Sequence, residues 1–211
     1  MALVAAAAVT VACGGGGGPT GPAGPPAQLV KSGGDQQAWY FNNPLPTPFQ
    51  VRVQDANGRG VAGVVVSWAV TTGGGSVAPA SSTTNADGVA TATLTLTSDA
   101  VYAVSANAAG LPQVEFMASA STPPTSGAVT VGNDFFSPRD VVVQVTGSVT
   151  WTWNPGFRDH NVIYVSGPTP RPANSPTIDS GTHTTSFGVV GVYGYVCNIH
   201  AGMEGTVSVV H

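Results

Sequence analysis

Charge is what this chain of 211 residues has least of: Asp, Glu, Lys and Arg together make up 8% of it, against about 25% in ordinary soluble proteins. Long amphipathic helices need charged, straight-chain residues on their wet face, so this scarcity excludes them as the main building element. Lys and Arg number only six and form no cluster, and the formal net charge is −4. A phosphate backbone is therefore excluded as a partner, and no nucleic acid is expected. Cysteine is almost absent. The two present, Cys13 and Cys197, sit in unrelated contexts, so no disulfide framework is expected. Long apolar runs are missing too. The one uninterrupted stretch, Ala2 to Ala12, falls well short of the ~20 residues a membrane-spanning helix needs.

What the chain has is Gly (28) and Pro (17), with Val, Thr and Ala making up much of the rest. That composition favours short β-strands joined by turns. The Ala2–Ala12 run suits the apolar region of a secretory signal. Its end, Thr10-Val11-Ala12-Cys13, resembles a bacterial lipobox, which implies lipidation of Cys13; a plain cleaved signal peptide is the alternative. Residues 1–13 are thus read as signal. Residues 14–27, nearly all Gly and Pro up to Pro26, form a disordered tether. The chain is expected to be exported to the periplasm or cell surface, touching a membrane only through an N-terminal lipid anchor.

Two strand-rich stretches follow. In the first, 28–121, Phe49–Val53 alternates with period two, and Asp55-Ala56-Asn57-Gly58 is a turn. Val61–Val70 reads as strand. Gly73-Gly74-Gly75 and Asn85-Ala86-Asp87-Gly88 are further turns. Val89–Leu96 alternates again, with Ala90, Ala92, Leu94 and Leu96 on one face. The segments Val53–Gly58, Val61–Val64, Gly75–Val77 and Thr83–Ala90 resemble bacterial Ig-like domains of the invasin/intimin group. The resemblance implies a seven-strand-type sandwich acting as spacer or adhesion module, and no chemistry is assigned to it. Trp39, Tyr40 and Phe41 are read as one buried strand residue with edge neighbours. Residues 122–126, Thr-Pro-Pro-Thr-Ser, form a Pro-stiffened linker that spaces two separately folding units semi-rigidly.

The second stretch, 127–211, reads as strands at Ala128–Val131, Val141–Val145, Ser148–Trp153, Asn161–Val165, His183–Phe187, Val192–Cys197 and Thr206–Val210. Within it, Cys197-Asn198-Ile199-His200-Ala201-Gly202-Met203 is a Cys-x2-His-x2-Met segment. It puts a thiolate, an imidazole and a thioether on one loop between two strands, and His160 lies upstream at the start of another strand. Thiolate, two imidazoles and a weak thioether suit both Cu(I) and Cu(II) when a rigid scaffold holds them, whereas Zn2+ usually takes carboxylate rather than Met. One copper ion bound by His160, Cys197, His200 and Met203 is the reading. His183 is placed in a surface turn, and His211 is taken as solvated.

Phe136-Ser137-Pro138, Val149–Trp153, Asp159-His160-Asn161-Val162 and Gly191–Val207 together resemble the plastocyanin/amicyanin/pseudoazurin cupredoxins. The short ligand loop is most like amicyanin. The resemblance implies an all-β chain, an Ig-like β-sandwich followed by a cupredoxin Greek-key β-sandwich or barrel. It also implies that Asn161 braces the ligand loop near Cys197, and that His200 projects through a small apolar patch formed by Pro155, Phe157, Ala201 and Gly202. The function expected is that of an exported one-electron carrier, not an enzyme, with a transient redox protein partner. The alternative is a surface copper-binding or buffering protein, or an adhesion protein, without a dedicated redox partner.

Overall fold

A computed structural model describes residues 22–156 and 158–211; the Ala2–Ala12 run, Cys13 and Phe157 lie outside the described residues. The described residues are all strand, turn and loop, without a helix. The first unit comprises β1 (Gln28–Gly33), β2 (Gln37–Tyr40), β3 (Phe49–Gln54), β4 (Val65–Thr72), β5 (Ser76–Ala78), β6 (Ser81–Thr83), β7 (Val89–Thr95), β8 (Val101–Ala108) and β9 (Val114–Ser121). They form one sheet of order β1-β3-β7-β5 and a second of order β2-β9-β8-β4-β6. Period-two alternation drives the packing. β7 turns Ala90, Ala92 and Leu94 inward, β3 does the same with Phe49, Val51 and Val53, and all six are buried. Each fully buried Val, Leu or Phe contributes roughly 1.5–3 kcal/mol of transfer free energy.

Turns close this unit where short polar side chains can serve backbone amides. The Asp55 carboxylate accepts from the amides of Asn57 (2.8 Å), Arg59 (2.9 Å) and Gly24 (2.9 Å). These bonds hold its carboxyl below the usual carboxylate range. Arg59 Nη1 also donates to the Pro22 carbonyl. The last part of the Gly/Pro-rich segment is therefore pinned to the sandwich rather than loose. Asn85 Oδ1 plays the same role for Asp87 and Val89. In that turn Gly88 has φ +76°, and a Cβ there would meet the Val53 carbonyl at 2.5 Å, so only glycine fits. The strand read from Val61 begins only at Val65, because the residues before it are spent in a turn: Gly63 sits at φ +78° and the Val64 amide bonds Thr84 Oγ1. Trp39, Tyr40 and Phe41, at and just past the end of edge strand β2, are all half-buried.

The second unit comprises β10 (Ser126–Gly132), β11 (Phe135–Ser137), β12 (Asp140–Gln144), β13 (Ser148–Trp153), β14 (Ile163–Tyr164), β15 (Gly181–Ser186), β16 (Gly191–Val196) and β17 (Glu204–Val210). One sheet has the order β11-β10-β13-β15 and the other β12-β17-β16-β14. β10 begins at Ser126, so pairing with β13 starts inside the stretch read as linker. Two parallel pairings, β10 with β13 and β12 with β17, clamp strands distant in sequence. The core is aromatic. Trp151, Trp153, Tyr193, Tyr195 and Phe187 are all buried, and Trp151 meets Tyr195 edge-on at 5.8 Å. This core shares no residue with that of the first unit. His183 is not in a turn: it lies in β15 directly opposite Trp151. It is half-buried, its ring 6.5 Å from the indole, because the antiparallel register runs unbroken from Trp153–Gly181 to Ser148–Ser186.

Candidate metal centre

Two segments meet at the end of the second sandwich where β13 finishes and β16 turns into β17. The first carries His160. Its backbone N–H and C=O both pair with Ile178, at 3.0 Å each, and its carbonyl also accepts the Trp153 indole N–H at 3.2 Å. The second is the loop from Cys197 to Met203, closed by the Cys197 N–H donating to the Met203 carbonyl at 2.9 Å and turned at Gly202, φ +79°.

These two segments bring three donors together. Cys197 Sγ lies 3.7 Å from His160 Nδ1 and 3.5 Å from His200 Nδ1, and the two imidazole centroids are 4.3 Å apart. The three ligand atoms all lie within 4.8 Å of one another. His160 is fully buried and Cys197 nearly so, while His200 is half-buried. Burial, and then the neighbouring His200, hold His160 below the ordinary imidazole range. It is therefore neutral at pH 7, with a lone pair free to ligate. Its far nitrogen, Nε2, is buried without a hydrogen-bond partner, so the ring is oriented by packing and by its Nδ1 side.

The donor set fits a soft divalent or monovalent cation. A thiol offers one hydrogen and can satisfy one facing imidazole nitrogen, not two. An ion bonded at about 2.0–2.1 Å to nitrogen and about 2.3 Å to sulfur, with angles between tetrahedral and trigonal, needs N···S separations of roughly 3.5–3.8 Å. The observed 3.5 and 3.7 Å fall in that range. Met203 is buried in the same cluster as Cys197.

A bracing network surrounds the donors. Asn161, 3% exposed, accepts the Asn198 N–H on Oδ1 (3.1 Å), and its Nδ2 donates to Asn198 Oδ1 (2.8 Å) and Thr177 Oγ1 (2.9 Å). Buried Ser175 accepts the Val162 N–H on Oγ (2.8 Å) and donates its own N–H to the Val162 carbonyl (3.0 Å). Sequence reasoning pointed to Asn161 but not to Asn198, Ser175 or Thr177. The last two lie in a Pro-rich loop where nothing local marks them.

Comparison with known proteins agrees in both halves. Residues 42–122 match the bacterial Ig-like domain (group 1) family, and residues 128–210 match the copper binding proteins of the plastocyanin/azurin family. Amicyanin-alpha of Methylorubrum extorquens is 33% identical over 89 residues, which cover 41% of this chain and 74% of the amicyanin. The chain belongs to the plastocyanin/azurin family of copper-binding proteins. The chloroplastic plastocyanin of Tetradesmus obliquus is 34% identical over 84 residues, 35% of this cupredoxin chain, which spans 57% of the plastocyanin's length. Among solved structures, a Cu(I) amicyanin variant aligns with 27% identity and a TM-score of 0.36, over 40% of this chain and 81% of that one. A purple cupredoxin from Nitrosopumilus maritimus aligns with 29% identity and a TM-score of 0.34, over 39% and 98%. Copper is the family's metal, and the group of His160, Cys197 and His200 is positioned for one ion.

In the loop of this cupredoxin site Ala201 and Gly202 are exposed, as is Pro155 just past β13, and Phe157 is outside the described residues. Ile199, between Cys197 and His200, is 49% exposed and belongs with them. The alternation of inward donors and outward spacers in Cys-x2-His was the signal available for it.

Proposed function

We propose that this chain is an exported one-electron carrier, not an enzyme, holding one copper ion through His160, Cys197, His200 and Met203. The observation that carries the reading is the convergence of two imidazole Nδ1 atoms on one thiol sulfur, 3.5 and 3.7 Å away, in a nearly dry pocket. Copper bound there supplies a one-electron couple between Cu(I) and Cu(II).

The chain's own residues do the rest. Neutral His160 presents its Nδ1 lone pair from a backbone fixed at both polar groups by Ile178. The Asn161–Asn198 pair ties that segment to the Cys197 loop, so the donors keep one spacing whatever the charge among them. Of the two imidazoles in the cluster, His160 is buried and His200 is half-buried, so His200 is the one that reaches solvent. It marks the face where a redox protein docks transiently, on an apolar patch of Pro155, Ile199, Ala201 and Gly202. Such encounters bury little area, in keeping with so small a patch. Export follows from the N-terminal signal-like run, with Cys13 as the lipid-bearing residue of a surface-anchored protein.

The visible spectrum of the copper-loaded full chain, followed by redox titration and electron self-exchange, tests this reading. An intense thiolate-to-Cu(II) band and fast self-exchange are expected. A protein that binds Cu(II) without that band overturns the donor set, and a coloured protein with negligible self-exchange overturns the carrier role.

A further inference from the structure

We infer that the two β-sandwich units are docked through one end of each into a single body, with the Asn43 side chain as the clamp. Asn43, just past β2, is 5% exposed. Its Oδ1 accepts the His211 N–H at 3.1 Å, and its Nδ2 donates to the His211 carbonyl at 3.3 Å. A carboxamide that meets both main-chain groups of one residue stands in for a peptide of a neighbouring strand. Here it extends the pairing of the second unit beyond the end of β17. The clamp is fixed on both sides. Asn43 Nδ2 also donates to the Phe41 carbonyl at 2.8 Å, and the Asn43 carbonyl accepts the Leu96 N–H at 3.1 Å, which ties it to the first core. On the other side, the Val210 carbonyl accepts the Val145 N–H at 2.6 Å.

The connection between the units is held as well. Pro123 is buried. The Pro124 carbonyl accepts from the Gln144 amide (2.7 Å), and the Thr125 carbonyl from the Ser148 amide (3.1 Å). A carboxamide and a proline are both buried at the junction, and swinging apart would exchange the Asn43–His211 bonds for bonds to water and expose both residues.

The placement has a direction. The pinned segment Pro22–Gly24 meets the first unit at the Asp55 turn, beside the start of β1. β9 delivers the chain to the opposite end, where Ser121 pairs with Tyr40. In the second unit β10 and β13 run in parallel away from the junction, and Cys197–Met203 joins β16 to β17 at the far end from Val210. Docking thus fixes the donor cluster at the end of the body remote from the Pro22–Gly24 segment.

Backbone 15N relaxation on the full chain tests it. The parent is expected to give one rotational diffusion tensor for both units. His211→Pro removes the N–H that donates to Asn43 Oδ1, with His211→Ala as the control that keeps it, and Asn43→Ala deletes the whole clamp. In His211→Pro and Asn43→Ala the two units are expected to tumble apart, with correlation times lower by roughly a factor of two as each body halves in size. Separate tumbling in the parent overturns the docking. Shared tumbling that persists in a folded His211→Pro variant overturns the role of Asn43.

Discussion

Asn161 and Asn198 exchange two hydrogen bonds across the donor cluster: the Asn198 amide donates to Asn161 Oδ1, and Asn161 Nδ2 donates back to Asn198 Oδ1. Each Asn directly follows His160 or Cys197, so the pair ties together the two segments that carry them. Asn161→Ala leaves the Asn198 amide without its acceptor. The metal-free protein is expected to lose about 1–3 kcal/mol, and copper affinity to fall by roughly 10–100-fold. Denaturant unfolding and chelator competition measure these separately. Unchanged affinity in a folded variant would show that the pair is not positioning the donors.

Met203→Gln replaces a thioether with a harder amide oxygen that favours Cu(II) over Cu(I). The reduction potential is expected to fall while the thiolate charge-transfer band persists, because His160, Cys197 and His200 remain. Redox titration beside the parent decides it, and an unaltered potential removes Met203 from the donor set.

Ser175 is 8% exposed and serves both main-chain groups of Val162. Ser175→Ala leaves the Val162 N–H, two residues from His160, buried with no acceptor. A loss of about 1–3 kcal/mol is expected, with faster hydrogen exchange at the Val162 amide. Ser175→Thr, which keeps the hydroxyl, is expected to restore the protection. Equal exchange in both variants would count against the bond.

Asp55 gives the first unit a dependence on acid. Its folded-state pKa is depressed by the Gly24, Arg59 and Asn57 amides. Its contribution is therefore fully present above the unfolded value near 3.9 and is lost as pH falls through the lower folded value. Thermal unfolding at a series of pH values is expected to show stability dropping below about pH 4. Asp55→Asn is expected to be less stable at pH 7 and to have a shallower acid slope. Identical slopes in parent and variant would assign the acid sensitivity to other carboxylates.

Where one face is buried and the other wet, the strands could be read from the sequence, as in β3, β7 and β13. β8 was illegible because Ala103 and Ser105 on its outer face are buried too, which erases the alternation. β5 and β6, three residues each, are too short to carry a period. Three of the proposed donors were legible because Cys197, His200 and Met203 share one short segment whose chemistry is local. Asn198, Ser175 and Thr177 act through contacts that exist only once the loop before β15 has folded back on His160, so their residue types alone could not single them out.

The parallel pairing of β12 with β17 has a kinetic consequence. Asp140 and Thr206 must find each other across most of the second unit, and His160 reaches Cys197 only when the strands on either side are in place. Closing such long loops costs chain entropy before any contact repays it, which puts this unit among the slow, millisecond-to-second folders. Of the proposed donors, the Cys197–Met203 segment alone can offer a thiolate, an imidazole and a thioether, but not His160. Metal captured before closure would sit in an open, exchangeable loop, so secure loading is expected to follow assembly of the frame.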